Sequence, residues 1–206
     1  MSEPFTWDDS RHYDRGKVLS AKDLEDLGRF GRYLDSDNDG IPFRTIPGVH
    51  PLKGAYVTRG SSKDEYAAYT EDSAAYQRNM ERLAHKFHTA QTLVHEPEFY
   101  QTNDTSKVGM IFFGTSTQSA IEARDLLRDK GVNVDAMRIR SFPFNEQVRH
   151  FIDKHETVYV IEQNRDAQMR SLLSIELNID PLRFVSILNY DGLPITADFI
   201  VNSIAS

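Results

Sequence analysis

The chain has 206 residues, enough at about 150 per domain for one full domain with an appendage or for two small ones. Asp and Glu total 31 against 24 Lys and Arg, a formal net charge of −7, which argues against nucleic acid or an anionic membrane surface as the main partner. There is no Cys, which removes disulfides, thiol nucleophiles and any cysteine-ligated zinc or iron–sulfur centre held by this chain alone.

In chain order, residues 1–20 are charged and carry no apolar stretch, unlike a secretory signal. A first helix is expected over 21–32, with Ser20 and Asp23 at capping-box spacing and Leu24, Leu27 and Phe30 on one face. Residues 35–60 are rich in Gly, Pro and Asp and read as a loop. A second helix is expected over 73–89, where Tyr76, Met80, Leu83 and Phe87 make one apolar stripe. Composition changes near residue 105, and 96–107 (EPEFYQTNDTSK) reads as a linker, dividing the chain into 1–105 and 106–206.

Beyond the linker, strand and helix patterns alternate. Strands are expected at 108–113 (VGMIFF), 134–139, 157–161 (TVYVI) and 184–188, with Phe112, Ile139 and Val160 in the core. Helices are expected after the turn at 114–119 as far as Lys130, from Asn145 to about His155, over 166–178, and from Pro194 and Thr196 to Ile204. Connections this short admit only crossover helices, so the expected fold class is α/β: a three-layer α/β sandwich with a mainly parallel sheet, preceded by a loop-rich helical segment. None of the apolar runs is long enough to span a membrane.

Three groups of residues have chemistry to offer. At the carboxyl ends of parallel strands, open sheets bind ligands. The turn Gly114-Thr115-Ser116-Thr117 offers hydroxyls and backbone N–H groups at a helix start, suited to an anion or simply to capping the helix. It matches neither a dinucleotide fingerprint nor a P-loop. Glu162-Gln163-Asn164 ends another strand, where Glu162 and Asn164 can hold a partner chain or a ligand hydroxyl, or satisfy loop backbone. Asp35, Asp37 and Asp39 followed by Gly40 have the D-x-D-x-D-G spacing that converges on Ca²⁺ or Mg²⁺, but Ile46 stands where an EF-hand loop has its last acid and Pro42 interrupts it. The other reading is a solvated turn in which the Asp side chains bond nearby backbone. His85 and His88 are one helical turn apart without an acid to complete a metal set, and they and the scattered His residues at 12, 50, 150 and 155 read as surface residues. A phosphorelay receiver is excluded, because Gly114-Thr115 and Glu162-Gln163 stand where such domains carry acidic residues.

The segment DGIPFRTIPG (Asp39 to Gly48), the TRG-x-x-x-DEY run (Thr58 to Tyr66) and the Tyr-Thr-Glu-Asp before the second helix resemble the alpha subunits of 2-oxoacid:ferredoxin oxidoreductases, particularly the 2-oxoglutarate branch. The stretch DRGKVLSAKDLEDLGRFGRYL (Asp14 to Leu34) is similar to the same branch. The alternating half resembles the family's second core domain, which is like the C-terminal domain of transketolases. Its carriers are Gly114 with SAIEA, Glu162-Gln163-Asn164 with Gln168, and YDGLPIT from Tyr190. The resemblance implies CoA-dependent oxidative decarboxylation of a 2-oxoacid, with electrons passed to ferredoxin. It implies thiamine diphosphate, Mg²⁺ and a [4Fe–4S] cluster held through a beta subunit, with no cluster on this chain, in a cytoplasmic hetero-oligomer. Arg44, Thr45 and Arg59 would then lie nearest substrate or cofactor, Arg44 being able to pair bidentately with a carboxylate or phosphate or to clamp the Asp residues of its own loop.

Two departures accompany the resemblance. The family's YPITP and R-x-G-P-S-T-G segments, which face the oxoacid, do not occur here, so the chain resembles the C-terminal part of an alpha subunit. The remainder is expected in a neighbouring chain, a longer polypeptide or a deleted region, and this chain is expected mainly to support subunit assembly. Ser61-Ser62-Lys63 replaces a Gly- and His-containing stretch before DEY, altering either substrate preference or loop packing. The reading from another class is a non-catalytic α/β module that binds a partner protein or an anionic ligand at Gly114 to Thr117. Neither reading calls for nucleic acid or a membrane.

Overall fold

The structure, a computed structural model, describes residues 6–58, 60–102 and 106–205. The chain divides into two compact units, Met1–Thr89 and Ala90–Ser206.

The first unit is mostly loop. Its helix α1 (Ala21–Asp26) starts on the expected capping box: Ser20 Oγ accepts from the Asp23 N–H at 3.2 Å, and Asp23 Oδ2 accepts from the Ser20 N–H at 2.7 Å. It stops much earlier than the apolar spacing implied. Leu27 turns extended, and Gly28 follows it; glycine in a helix interior costs about 1 kcal/mol. Helix α2 (Ser73–Ala90) forms as expected, yet its stripe does not reach a core. Tyr76, Met80 and Phe87 are 54%, 41% and 54% exposed, and the helix buries Ala75 and Asn79 instead. Among the described residues the buried apolar side chains of this unit are Leu19, Leu24, Ala67 and Ala75. Polar ties hold the loops: Asn79 donates to the Lys63 carbonyl at 2.9 Å, and Thr45 Oγ1 to the Gly54 carbonyl at 2.6 Å.

The second unit is the α/β domain the alternation called for. Its five-stranded sheet runs β1-β3-β2-β4-β5, from β1 (Glu98–Tyr100), β2 (Val108–Phe113), β3 (Asp135–Ile139), β4 (Thr157–Glu162) and β5 (Phe184–Leu188). Four strands are parallel; β1 pairs antiparallel with β3, Phe99 opposite Met137. The linker reading of 96–107 is therefore corrected. Glu98–Tyr100 is an edge strand, and the second unit begins at Ala90, not at 106. Helices α3 (Thr117–Asp129) and α6 (Ala197–Ala205) cover one face, where Met110, Phe112, Ile161 and Ile200 meet. Helices α4 (Glu146–Lys154) and α5 (Gln168–Leu177) cover the other, over Ile111, Val160, Phe151 and Leu173. Adjacent residues of β2 thus serve opposite cores, as a strand buried on both faces requires. Phe112, Ile139 and Val160 are buried as expected. Each such side chain contributes about 1.5–3 kcal/mol of burial.

One histidine departs from the surface reading. His155, at the end of α4, is buried, and its Nε2 lies 3.1 Å from Asp135 Oδ2. The Asp135 carboxylate also takes the Lys154 ammonium at 2.7 Å and the Thr102 N–H at 2.9 Å, tying β3 to α4. Burial would push this carboxyl up, but Lys154, Thr102 and His155 outweigh it and hold it below the usual carboxylate range. A lowered carboxyl stabilises the fold above the ordinary value of about 4, and the contribution is lost as pH falls through the lowered value. Replacing Asp135 by Asn is expected to cost about 3 kcal/mol in urea unfolding at neutral pH. The difference from the parent protein should shrink on acidification through that window.

Candidate functional site

The parallel order places a switch point between β2 and β4. The chain leaves β2 through α3 to β3 on one side, then returns through α4 to β4 on the other. At the carboxyl ends of these two strands opens a recess of about 550 Å³, where open sheets of this kind bind ligands. Gly114, Ser116 and Asn164 line it, with Thr115, Gln163 and Gln168. In the sequence they fall in two separate turns, with Gln168 in the helix expected over 166–178, and the structure brings them together.

Most of their polar atoms are already spent. Gln163 Nε2 donates to Thr115 Oγ1 at 2.8 Å and to Ser116 Oγ at 3.3 Å, while its Oε1 accepts from the Ile195 N–H at 3.4 Å. One amide therefore ties the turn after β2, the turn after β4 and the segment before α6. The residues 114–116 form a single 3-10 turn, with Gly114 at φ +57°. Thr117 Oγ1 donates to the Gly114 carbonyl at 2.7 Å. The expected capping by Ser116 is absent: its side chain makes no cap bond to α3.

Glu162 is fully buried at the end of β4. Its Oε2 accepts from the Met169 N–H at 2.7 Å and from Asn164 Nδ2 at 2.8 Å, and its Oε1 accepts from the Arg170 N–H at 3.1 Å. The first residues of α5 have no cap of their own, because Ala167 precedes them in the left-handed region at φ 50°. Glu162 caps the helix from a strand, with its negative charge at the positive end of the helix dipole. Asn164 Oδ1 accepts from the N–H groups of Asp166 and Gln168 at 3.1 and 3.3 Å. Of the two roles the sequence left open for this pair, these bonds carry the backbone-satisfying one. Gln163, the residue that joins the loops, stands out in the sequence only as the middle of Glu162-Gln163-Asn164. Its role depends on which strands become neighbours, and that is not visible in spacing.

In the first unit, Asp35, Asp37 and Asp39 do converge: one oxygen from each lies within 4.8 Å of the others. Lys17 Nζ already sits 2.6 Å from Asp37 Oδ1 and 2.8 Å from Asp39 Oδ1. Desolvation alone would lower the Lys17 ammonium, but the hydrogen bonds to Asp37 and Asp39 outweigh it and raise it. The same Lys17 bond, with the Ile41 N–H, holds Asp39 below the usual carboxylate range. Asp35 accepts from the N–H groups of Asp39 and Gly40 at 3.2 and 2.9 Å. Gly40 is required at φ +79°, since a Cβ there would stand 2.3 Å from the Lys86 backbone N.

Arg44 is exposed, and its guanidinium donates to the Arg15 carbonyl. The clamp on the Asp-rich loop is Lys17, not Arg44. Thr45 borders a recess of about 620 Å³ with Gly48, His50, Lys53 and Tyr56; Arg44 does not line it. Arg59 lies outside the described residues. No helix among the described residues is long and apolar enough to cross a membrane.

No protein-family model matches the chain. Two curated relatives match it along most of its length. The alpha subunit of 2-oxoacid:ferredoxin oxidoreductase 2 from Aeropyrum pernix is 28% identical over 185 residues, covering 88% of this chain and 27% of the relative. The alpha subunit of 2-oxoacid:ferredoxin oxidoreductase from Saccharolobus solfataricus is 27% identical over 197 residues, covering 93% and 29%. Among solved structures, the 2-oxoglutarate:ferredoxin oxidoreductase of Magnetococcus marinus with 2-oxoglutarate, coenzyme A and succinyl-CoA bound superposes with a TM-score of 0.75. That match is 22% identical and covers 86% of this chain and 30% of that one, a likeness of fold. The relatives in sequence are thus 2-oxoacid:ferredoxin oxidoreductase alpha subunits, the proteins whose motifs the chain resembles. The chain spans less than a third of their length.

Two outcomes are expected from this geometry. Replacing Glu162 by Ala leaves the Met169 and Arg170 N–H groups without acceptors, a loss of about 2 kcal/mol or more in chemical unfolding. A cation entering the Asp-rich loop must displace the Lys17 ammonium. Lys17→Met is therefore expected to strengthen Ca²⁺ binding by up to about fivefold by calorimetry; equal affinity in both proteins would remove the competition.

Proposed function

We propose that this chain is part of the alpha subunit of a 2-oxoacid:ferredoxin oxidoreductase, with 2-oxoglutarate as the 2-oxoacid. The observation that carries the reading is the match to two such alpha subunits along 88% and 93% of the chain. The preference for 2-oxoglutarate rests on DGIPFRTIPG and the TRG-x-x-x-DEY run. The reaction is CoA-dependent oxidative decarboxylation, with electrons delivered to ferredoxin, in a cytoplasmic complex.

The role of the chain itself is assembly. Its first unit buries few apolar side chains and exposes Tyr76, Met80 and Phe87 on one helix, a face suited to a neighbouring protein. The neighbours in this reading are the rest of the alpha subunit and the beta subunit. Without Cys the chain offers no thiolate to an iron–sulfur cluster. The donor set therefore does not fit the cluster, which this reading assigns to the beta subunit together with thiamine diphosphate and Mg²⁺. Arg44, Thr45 and Arg59 are the side chains proposed to lie nearest the substrate or cofactor. The alternative, a non-catalytic module at the Gly114 to Thr117 turn, draws on the recess between β2 and β4. It is the weaker reading, because the amide and carboxylate groups there are engaged within the chain.

The test is affinity purification of the tagged chain from its natural source. A partner carrying thiamine diphosphate and an iron–sulfur cluster, with ferredoxin-linked 2-oxoacid oxidation in the eluate, is the expected result; a lone monomer would overturn the proposal. In that complex Arg44→Ala is expected to lower turnover or raise the KM for the oxoacid at unchanged subunit composition. Unchanged kinetics would remove Arg44 from the substrate.

A further inference from the structure

The first unit contains a recess of about 280 Å³ between the turn at residues 60–63 and α2. Tyr76, Met80 and Leu83 give it an apolar lining, and Ser61, Ser62, Lys63 and Arg82 give it donors. Arg82 Nη1 donates to the Gly40 carbonyl at 3.1 Å, but its Nε is buried and finds no acceptor among the described residues. Among the described residues no carboxylate forms an ion pair with Arg82. The nearest acid to influence it, Asp35, has its oxygens on backbone N–H groups. Burial lowers the Arg82 guanidinium, Arg32 adds a like charge, and Asp35 does not offset them. Lys63 lies on the same recess, its ammonium 5.5 Å from the centre of the Tyr33 ring.

A partly buried guanidinium with an idle donor and no ion-pair partner among the described residues is costly unless something negative meets it. We propose that this recess is an oxyanion site that accepts a phosphoryl group of a small molecule, gripped by Arg82 and Lys63 and by the hydroxyls of Ser61 and Ser62. Arginine supplies a planar fork, lysine a compact charge, and each serine a donor that rotates to fit. A phosphoryl group, with three terminal oxygens, engages more of these donors than the two oxygens of a carboxylate. The apolar lining accommodates an uncharged stem behind the phosphoryl. The donors of the site are independent of the proposed function, whereas its apolar lining shares Tyr76 and Met80 with the exposed face of α2.

The experiment is a titration of the isotope-labelled 206-residue chain with sodium phosphate, with sodium acetate as comparison, at constant ionic strength, followed by NMR. The expected result is saturating shifts at the amides of Ser61, Ser62 and Lys63 and at Arg82 Nε, with phosphate held more tightly than acetate. Arg82→Gln should weaken phosphate binding by about tenfold or more. Because Arg82 also holds the Gly40 carbonyl, Lys63→Met serves as the second variant and should weaken it severalfold with the spectrum otherwise unchanged. Shifts that grow without saturation, or phosphate affinity unchanged in Lys63→Met, would overturn the site. Acetate binding as tightly as phosphate would overturn its assignment to a phosphoryl group.

Discussion

A parallel strand such as Val108–Phe113 hides both of its faces from water, and the second unit is built around that constraint. Parallel neighbours cannot be joined by hairpins, so every connection becomes a crossover helix, and those helices supply the two covering layers. The order of strands then fixes where the sheet reverses its winding, between β2 and β4. The loops at that reversal lie side by side, though they are far apart in the chain. Gln163 in the turn after β4 bonds Thr115 and Ser116 in the turn after β2, and Glu162 anchors the helix that follows. The recess there is thus a product of the winding. Its rigidity comes from groups that would otherwise be the obvious ones to hold a ligand.

The first unit follows other physics. Its buried apolar set is small, and its loops are held by side chains reaching carbonyls and carboxylates: Lys17 to Asp37 and Asp39, Thr89 to Asp39, Arg82 to Gly40, Asn79 to Lys63. Such bonds contribute about 1 kcal/mol each, since water competes for both partners. Their strength is in shape more than in stability. Three of them converge on residues 39 and 40, where a glycine brings the loop against the backbone of α2. The acidic loop that reads as a cation site is, in the folded chain, the seat of a lysine.

What the sequence made legible follows from how strongly local pattern and tertiary burial agree. The four parallel strands and their helices were readable because apolar runs and turn residues mark both ends of each. The edge strand Glu98–Tyr100 was not, because three residues in a polar stretch leave no alternation to detect. The stripe on α2 marked the helix but not its burial, since periodicity reports that a helix is amphipathic and not what covers it. His155 looked like any scattered histidine, and only the pairing with Asp135, twenty residues earlier, makes it a core residue. At the switch point the participating turns were legible, but the donors consumed inside them were not. A residue's hydrogen-bond partner is a property of the packed chain.

Arg82 and Lys63 illustrate the same limit in charge. The net charge of −7 argues against extended polyanions, which need many cations on one face. It says little about one recess. Charges are screened over about 10 Å at ordinary ionic strength, so a distant acidic surface barely reaches a partly buried guanidinium. What acts on Arg82 is its own surroundings: burial, the like charge of Arg32, and an Asp35 whose oxygens are already engaged. An acidic protein can therefore hold a cationic pocket without contradiction. The donors there come from four residues, Ser61, Ser62, Lys63 and Arg82, drawn from one turn and one helix, that only the fold brings together.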